Sequence, residues 1–349
     1  MKLKIIGCSL NDIEDFVSRN GMKPYLAKQV CYWIYNHGIE SFDQMINVSK
    51  NNRGAFDTFF SLEKKIPLKT AISADNTKKY LFKTEKGNFI ESAYIPDGKR
   101  HTLCISSQAG CKMNCKFCYT GKQGFQENLS VFDIINQLDA IPERDIITNI
   151  VFMGMGEPFD NYDNVLKAIE ILTAEWGYKI GKRKITVSTA GVVPGIDKFL
   201  KESESNLAVS LHSPFEVQRS QLMPINNKYS IKDIIDTIRN NKLDKQRRVS
   251  FEYIMFKDIN DTQEHINQLA KVLNGLRCMI NLISYHTNSE DKFQPSFAEH
   301  ILWFRNQLSN KGFPTTIRSS RGQDIEAACG LLSTKELLKL SNDKESNCY

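Results

Sequence analysis

The chain has 349 residues, of which 41% are hydrophobic and 25% charged, and its formal net charge is +6. This apolar content is enough to bury a sizeable core and excludes a disordered or collagen-like chain. No run approaches the roughly 18 apolar residues of a membrane span, and the apolar run near the start is too short for a secretory signal. We therefore expect a cytoplasmic protein with no membrane partner, whose small basic surplus permits a polyanionic partner.

The first part of the chain shows helical patterning. In the segment YLAKQVCYWIYNHG the apolar residues recur at helical spacing, and helical segments precede and follow it. This pattern predicts a helical accessory domain over residues 1–70. From residue 79 to 95 the pattern changes to strand-like alternation, with Lys86, Gly87 and Asn88 in turn positions. The second pattern predicts a β-hairpin linker over residues 71–97.

The core is predicted from residue 98 to 335, where β-branched segments alternate with helical patterns such as NYDNVLKAIEILTAEW. The strand segments are HTLCISS, TNIVFM, KITVST, NLAVSLH, RVSFEYIMF, MINLIS and TTIRSS. Strand–helix–strand repeats build a parallel sheet. We predict an α/β fold with a partial (βα)6 barrel, and a doubly wound sheet is the alternative. In both architectures ligands bind at the carboxyl ends of the strands. Residues 336–349 are predicted to form a C-terminal tail.

Four of the nine cysteines, Cys104, Cys111, Cys115 and Cys118, fall within fifteen positions. The last three follow a C-x3-C-x2-C pattern, which is one ligand short of an electron-transfer [4Fe-4S] centre with four cysteines. The shortage would leave one iron open to an exogenous ligand. A zinc site completed by Cys104 or His101 is the alternative, although this spacing is atypical of structural zinc.

The C-x3-C-x2-C loop resembles that of the radical S-adenosylmethionine (SAM) superfamily, whose open iron binds the amino and carboxylate groups of SAM. Further segments are similar, in order and spacing, to the RlmN/Cfr group of adenosine C2 and C8 ribosomal RNA methyltransferases. These segments are GCKMNCKFCYTGKQGFQENL, NIVFMGMGEP, ITVSTAGVVPGI, AVSLHSP, SFEYIMFKDINDT, INLI and TTIRSSRGQDIEAACG. The helical start is similar to the amino-terminal domain of the RlmN type. The resemblance implies a radical SAM barrel with a [4Fe-4S] cluster and SAM as cofactors.

The resemblance implies methylation of a carbon atom that ordinary SAM chemistry does not methylate. The C2 atom of adenine has no lone pair to attack a sulfonium methyl group, and its C–H bond is not acidic. In this group of enzymes the methyl group first moves to a cysteine by displacement. A 5′-deoxyadenosyl radical then abstracts hydrogen from the S-methyl group, and the resulting radical adds to the base. The cofactor thus performs the hard chemistry while the protein positions and shields it.

The resemblance assigns catalytic roles to three residues. Cys329 would carry the methyl group, Cys104 would release the product by forming a transient disulfide with Cys329, and Glu91 would accept the C2 proton as general base. Without the resemblance, Cys329 would be read as a buried thiol and Glu91 as a solvent-facing strand carboxylate. A reducing cytosol would regenerate the two thiols.

The resemblance also assigns the cofactor contacts. Cys111, Cys115 and Cys118 would bind the cluster, and Gly156 and Glu157 would hold the amino group of SAM, since a carboxylate pairs with an ammonium. The remaining positions that match the lining of the SAM site are Ser188, Ser210, Leu211, His212 and Asn281. Each of these has an ordinary structural explanation, and a lone histidine is usually a hydrogen-bonded core residue. Their joint placement at strand ends favours a site.

The implied substrate is RNA, namely 23S rRNA and, through the RlmN type, the adenosine next to the anticodon of tRNA. The basic segments 182–184 and 245–248, with Arg318 and Arg321, are candidates for phosphate contact. A one-electron donor of the flavodoxin or ferredoxin type is also expected. Two alternatives stay open at this point: a Cfr-like C8 methyltransferase of 23S rRNA, and a zinc-stabilised RNA-binding protein without catalysis.

Overall fold

The computed structural model describes residues 2–241, 247, 249–286, 292–327 and 330–332. Cys329 and the predicted tail at 336–349 lie outside the described residues, as do three of the four residues at 245–248. None of the helices in the described part of the chain is long and apolar enough to cross a bilayer.

The strands alternate with helices along most of the chain. The strands are β1 (Leu3–Lys4), β2 (Phe60–Ser61), β3 (Lys69–Ile72), β4 (Lys78–Lys83), β5 (Phe89–Asp97), β6 (Arg100–Cys104), β7 (Gln108–Ala109), β8 (Glu127–Asn128), β9 (Asn149–Phe152), β10 (Ile185–Thr189), β11 (Asn206–Ser210), β12 (Val249–Met255), β13 (Cys278–Ser284) and β14 (Thr315–Arg318). The helices are α1 (Leu10–Arg19), α2 (Tyr25–Tyr35), α3 (Lys50–Phe59), α4 (Tyr119–Gln123), α5 (Val131–Asp139), α6 (Tyr162–Thr173), α7 (Val193–Glu202), α8 (Glu216–Leu222), α9 (Ile231–Asn240), α10 (Gln263–Val272) and α11 (Ala298–Asn310).

The amino-terminal helices pack on the rest of the protein through a shared core. Ser9 begins α1 with a capping box, in which its side chain accepts from the backbone N–H of Asp12. The buried side chains of α1 and α2 belong to the same apolar cluster as those of the large sheet. Arg144 donates from Nη2 to the carbonyl of Tyr35 at 2.6 Å, which ties the end of α2 to the segment before β9.

The large sheet has ten strands in the order β14-β13-β12-β11-β10-β9-β6-β5-β4-β3. The predicted hairpin is present as β4 and β5, which pair antiparallel around the turn at Lys86 and Gly87. β5 also pairs antiparallel with β6, so the hairpin extends the sheet of the core. β3, which the sequence patterns did not predict, forms the outer edge beyond β4.

The seven strands from β6 to β14 in this sheet are parallel neighbours and follow chain order. They coincide with the seven predicted strand segments. A doubly wound sheet reverses its strand order at a switch point, which this sheet does not do. The α/β class and the partial barrel are therefore confirmed. Crossovers of one hand place the helices on the outer face of such a sheet.

The two faces of the parallel strands differ in chemistry. In β12, Phe251 and Tyr253 belong to the main apolar core, and Tyr253 stacks on Phe304 of α11. Ser250 and Glu252 alternate with them and line a cavity of about 1170 Å³. The concave face is thus polar enough to receive a ligand, while the convex face is buried under helices.

Candidate active site

The cysteine loop (residues 111–118) lies against the carboxyl ends of β11 and β12. Phe117, inside the loop, is buried, and its ring meets the imidazole of His212 edge-on at 4.8 Å between centroids. The same ring packs against Phe256 at 5.6 Å, just beyond β12. An apolar residue within the loop thus anchors it to the strand ends.

The three thiols of the loop are close enough to influence one another. Burial raises the pKa of Cys111 to about 12. The pKa of Cys115 lies well above its usual range because of burial and the neighbouring thiols of Cys118 and Cys111. A bound metal reverses this effect, because a coordinating thiol is deprotonated. A group of three partly buried thiols therefore fits a bound iron–sulfur cluster.

The alternative zinc site would need a fourth ligand beside the three thiols of the loop. In the described part of the chain, no three His, Cys, Asp or Glu side chains are placed to share one metal ion. His101, offered as a fourth zinc ligand, lies near the amino end of β6, and its Nδ1 is 2.6 Å from the hydroxyl of Tyr94. In a [4Fe-4S] cluster, by contrast, the thiolates bind different irons and need not meet at one ion.

The Gly156–Glu157 turn follows β9 at the same end of the sheet. Gly156 has a φ of +99°, and a side chain there would place its Cβ 2.5 Å from Cβ of Gln108, so glycine is required. The Glu157 carboxylate is buried and accepts hydrogen bonds from the backbone N–H groups of Phe159 at 3.0 Å and Ala190 at 2.6 Å. Burial raises the pKa of Glu157 to about 7. A cationic ligand group beside it would favour the charged form.

The strand register brings the other predicted SAM contacts onto one face. Ser188 pairs with Ala208, so Ser188 and Ser210 project from the same side of neighbouring strands. Ser210 pairs with Glu252, and Glu252 pairs with Asn281. Three predicted residues from separate parts of the sequence therefore share one face of the sheet near its carboxyl ends.

His212 and Leu211 are built into the frame of the site. His212 is buried with a φ of +57°, and its Nδ1 accepts a hydrogen bond from the backbone N–H of Ile254 at 3.0 Å. Burial lowers the pKa of His212 to about 3, so the ring is neutral. Leu211 is fully buried and donates its N–H to the carbonyl of Glu252 at 3.0 Å. Both residues hold the strand ends in place.

Arg219 is a residue of this region that the sequence patterns did not single out. Its side chain is fully buried in α8 and donates to the carbonyls of Leu211 at 3.2 Å, Ala190 at 2.7 Å and Ser210 at 2.9 Å. It thereby joins the carboxyl ends of β10 and β11. The sequence carries no signal for it, because an arginine in a short polar helix is usually exposed.

Cys104 ends β6 on the concave side of the sheet. Its thiol is buried, lines the cavity and shares a small apolar cluster with Ala327. On the other side of Cys329, Gly330 accepts a hydrogen bond at its carbonyl from the backbone N–H of Tyr119, which follows the cysteine loop, at 2.9 Å. Of the described residues on either side of Cys329, Ala327 thus belongs to the same apolar cluster as Cys104, and Gly330 bonds to the end of the cysteine loop.

Glu91 is buried in β5, whereas the sequence taken alone suggested a solvent-facing carboxylate. Its Oε1 lies 3.2 Å from Nζ of Lys79 in β4, and its own carbonyl accepts from Oγ of Ser106 at 2.6 Å. Lys79 was not predicted as a site residue. The pairing of β4 with β5 supplies this contact, and the alternation of the hairpin was the available signal.

The predicted residues do not all line one space. Cys104 and Asn281 line the 1170 Å³ cavity, whereas Glu91, Glu157 and the cysteines of the loop are not among its lining residues. Basic side chains line the opposite, amino end of the same cavity, where the strands begin; they are Arg100, Arg183, Lys184, Arg247 and Arg277. The cavity therefore runs from a basic mouth toward the carboxyl ends of the strands.

Comparison with known proteins identifies the two parts of the chain. Residues 105–271 match the radical SAM superfamily, and residues 3–61 match the ribosomal RNA large subunit methyltransferase N-terminal domain. A probable dual-specificity RNA methyltransferase RlmN of Phocaeicola vulgatus is 47% identical, over 97% of both chains. A dual-specificity RNA methyltransferase RlmN of Alcanivorax borkumensis is 40% identical, over 95% of this chain and 90% of the relative.

The fold of the chain is also similar to that of a solved structure. The crystal structure of a radical SAM methyltransferase from Sphaerobacter thermophilus has a TM-score of 0.87 and 37% identity, covering 95% of this chain and 99% of the other. Identity of this extent, reached over nearly the full length, includes both the helical start and the cysteine loop. The chain therefore belongs to the radical SAM superfamily and, within it, to the RlmN family of RNA methyltransferases.

Proposed function

We propose that this enzyme methylates C2 of an adenosine in 23S rRNA and C2 of the adenosine next to the anticodon in tRNA. The observation that carries the proposal is the meeting of the cysteine loop, the Gly156–Glu157 turn and Cys104 at one end of the sheet, in a chain of the RlmN family. The names of the relatives, dual-specificity RNA methyltransferase, support the two RNA substrates.

Cys111, Cys115 and Cys118 would hold the [4Fe-4S] cluster, and the open iron would leave room for SAM. Together the two groups supply the one-electron chemistry that an unactivated carbon requires. Glu157 would receive the ammonium of SAM, since its buried carboxylate is held by backbone N–H groups and by no cation among the described side chains. The proposed lining of the SAM site further comprises Gly156, Ser188, Ser210, Leu211, His212 and Asn281.

The catalytic roles are proposed for three side chains. Cys329 would carry the methyl group, and the contacts of Ala327 and Gly330 support its placement near Cys104 and the cysteine loop. Cys104 would resolve the covalent adduct through its thiol. The Glu91 carboxylate would accept the C2 proton, with the ammonium of Lys79 holding that carboxylate in position.

The RNA would enter from the basic mouth of the cavity. Arg100, Lys184 and Arg277 are exposed there, and Arg318 lines the wall of β14. Cationic side chains at this mouth suit the phosphates that flank a splayed-out nucleotide. The helical start of the chain would contribute further RNA contacts. We also propose a cytoplasmic location and an electron donor of the flavodoxin or ferredoxin type.

The Cfr-like alternative differs in the carbon that receives the methyl group, and the RlmN relatives favour C2. Mass spectrometry of 23S rRNA and tRNA nucleosides from cells with and without the gene tests the proposal directly. We expect 2-methyladenosine to disappear from both RNA classes in the deletion strain and to return with the gene. A loss of 8-methyladenosine instead would overturn the C2 assignment, and unchanged tRNA would overturn the second substrate.

A further inference from the structure

Glu252 is a buried acidic residue on the concave face of the sheet. Its side chain lies in the middle of β12, is 3% exposed and lines the large cavity. In the register it stands between Ser210 and Asn281, two residues of the proposed SAM site. In the sequence it is the one acidic residue of the apolar run SFEYIMF. A carboxylate in such a position needs compensating partners.

One carboxylate oxygen has its partners within the sheet. Oε1 of Glu252 accepts hydrogen bonds from Oγ of Ser250 at 2.9 Å and from Nδ2 of Asn281 at 2.8 Å. The amide oxygen of Asn281 in turn accepts from Oγ1 of Thr316 at 2.6 Å. These bonds fix the orientation of the Asn281 amide, so Glu252 helps to position a proposed cofactor contact.

The other carboxylate oxygen has no hydrogen-bond partner among the described residues. Oε2 of Glu252 is buried and makes no hydrogen bond to any described residue. An unsatisfied buried acceptor is costly, and a ligand that donates to it recovers that cost on binding. Because Glu252 lines the cavity, a donor from a molecule bound there is the simplest partner for this oxygen.

We propose that Oε2 of Glu252 accepts a hydrogen bond from a ribose hydroxyl of SAM. The inference rests on the proposed function, in which SAM lies against Ser210 and Asn281 on either side of Glu252. The ammonium of SAM is assigned to Glu157, which follows β9, three strands away from β12. The donors of SAM that are left for Glu252 are the two ribose hydroxyls and the adenine amino group. Carboxylates are a recurrent solution for binding ribose hydroxyls in nucleotide sites.

The test measures equilibrium binding, without turnover and without RNA. The cluster-loaded protein is dialysed to equilibrium against SAM and against its 2′,3′-dideoxyribose analogue. We expect the native protein to bind the analogue about 10- to 100-fold more weakly, the range for a hydrogen bond to a charged group. The Glu252→Ala variant should bind both ligands with affinities within about threefold of each other, since its carboxylate is gone.

Two further variants make the comparison decisive. Thr186→Val changes another cavity-lining residue, in the amino half of β10, and should discriminate between the ligands as the native protein does. Glu252→Gln preserves the side-chain volume but removes the charge, and it should lose most of the discrimination between the two ligands. It replaces the alanine variant in the comparison if the alanine variant does not retain its cluster.

Several results would overturn the inference. One is equal affinity of the native protein for the two ligands, and another is full discrimination in both Glu252 variants. Normal SAM binding by Glu252→Ala would also overturn it and would direct the carboxylate to a ribose hydroxyl of the RNA. Failure of the native protein to bind SAM at all would instead count against the proposed function.

Discussion

Two buried arginines perform the same task at opposite ends of the parallel strands. Arg219 donates to three backbone carbonyls at the carboxyl end. Arg247 donates to the carbonyls of Phe199, Leu200 and Ser205 at the amino end, between α7 and β11. Burial lowers the pKa of each to about 10, so both remain charged at neutral pH.

The two ends of the strands differ in the role of the residues whose carbonyls accept these hydrogen bonds. Arg247 secures a helix end and the entry to a strand at the basic mouth of the cavity, away from the proposed SAM site. Arg219 secures Ala190, whose N–H binds the Glu157 carboxylate, and Ser210 and Leu211 of the proposed SAM site. The same interaction is structural at one end and positions the site at the other.

The largest contrast is between two cysteines. Cys115→Ser removes a proposed cluster ligand at the carboxyl end, and we expect it to abolish iron and sulfide binding and all turnover. Cys278→Ser changes a half-buried thiol at the start of β13 and should retain both. Iron and sulfide analysis after anaerobic reconstitution, with assay of 5′-deoxyadenosine formation, checks both variants. A Cys115 variant that kept a full cluster would contradict the ligand assignment.

The second contrast is between two acids of β5. Glu91→Gln removes the proposed general base, and we expect turnover to fall by about 10²- to 10⁴-fold, the usual contribution of such a group. Asp97→Asn, at the amino end of the sheet, should change turnover little, because its ion pair with Arg321 is exposed. Cluster content and SAM affinity should be unchanged in both variants. Normal turnover in Glu91→Gln would exclude it as the base.

The third contrast is between the arginines themselves. Arg219→Met and Arg247→Met each leave several buried carbonyls without a donor, and we expect each to lower the free energy of unfolding by about 1–3 kcal/mol. Arg219→Met alone should also weaken SAM binding, by about tenfold or 1.4 kcal/mol. Denaturant unfolding and equilibrium dialysis give the two quantities. Equal effects of the two variants on SAM affinity would remove the distinction between the two ends.

The smallest expected effect is the change of SAM affinity with pH. Because the pKa of Glu157 is raised to about 7, its carboxylate is increasingly protonated below that pH and loses its attraction for the SAM ammonium. We expect SAM affinity to fall by about tenfold from pH 8 to pH 6, since one pKa unit corresponds to 1.36 kcal/mol.

Two variants check the origin of that pH dependence. Glu157→Gln should bind SAM more weakly and with a flat pH profile. Glu143→Gln, which changes a buried carboxylate at the amino end whose pKa is lowered by bonds to Lys78 and Tyr80, should keep the native profile. A native profile in Glu157→Gln would assign the titration to another group.

The fold could largely be predicted from the sequence because its signals are local. The parallel strands read as β-branched runs, and all seven were found. The hairpin was found from Lys86 and Gly87 in its turn. β3 was missed because it is a short, mostly exposed edge strand with no apolar alternation. Local patterns therefore predict the parallel strands and the hairpin well, and the edge strand of the large sheet poorly.

The site was predicted only in part. The cysteine loop and the Gly156–Glu157 turn are contiguous motifs, so the resemblance supplied them. Lys79, Arg219 and Glu252 act through partners that are distant in sequence, and only the strand register and the position of α8 reveal those partners. Glu91 was placed in solvent when read alone because the burial of β5 depends on its pairing with two neighbours.

In the described residues the sheet does not close by strand pairing, since β14 pairs only with β13 and β3 only with β4. Among these residues, only side-chain contacts join the segment after β14 to the hairpin region, such as Asp324 with Ser73 at 2.6 Å and Arg321 with Asp97 at 3.1 Å. A fully closed barrel would admit only a free nucleotide or a nucleotide at the end of an RNA chain. A mouth that is not enclosed by a continuous ring of paired strands can receive a nucleotide far from either terminus. Access of the target adenosine would then depend on unpairing of its base and not on the length of the RNA. One enzyme could therefore act on both a very long RNA and a short, compact one.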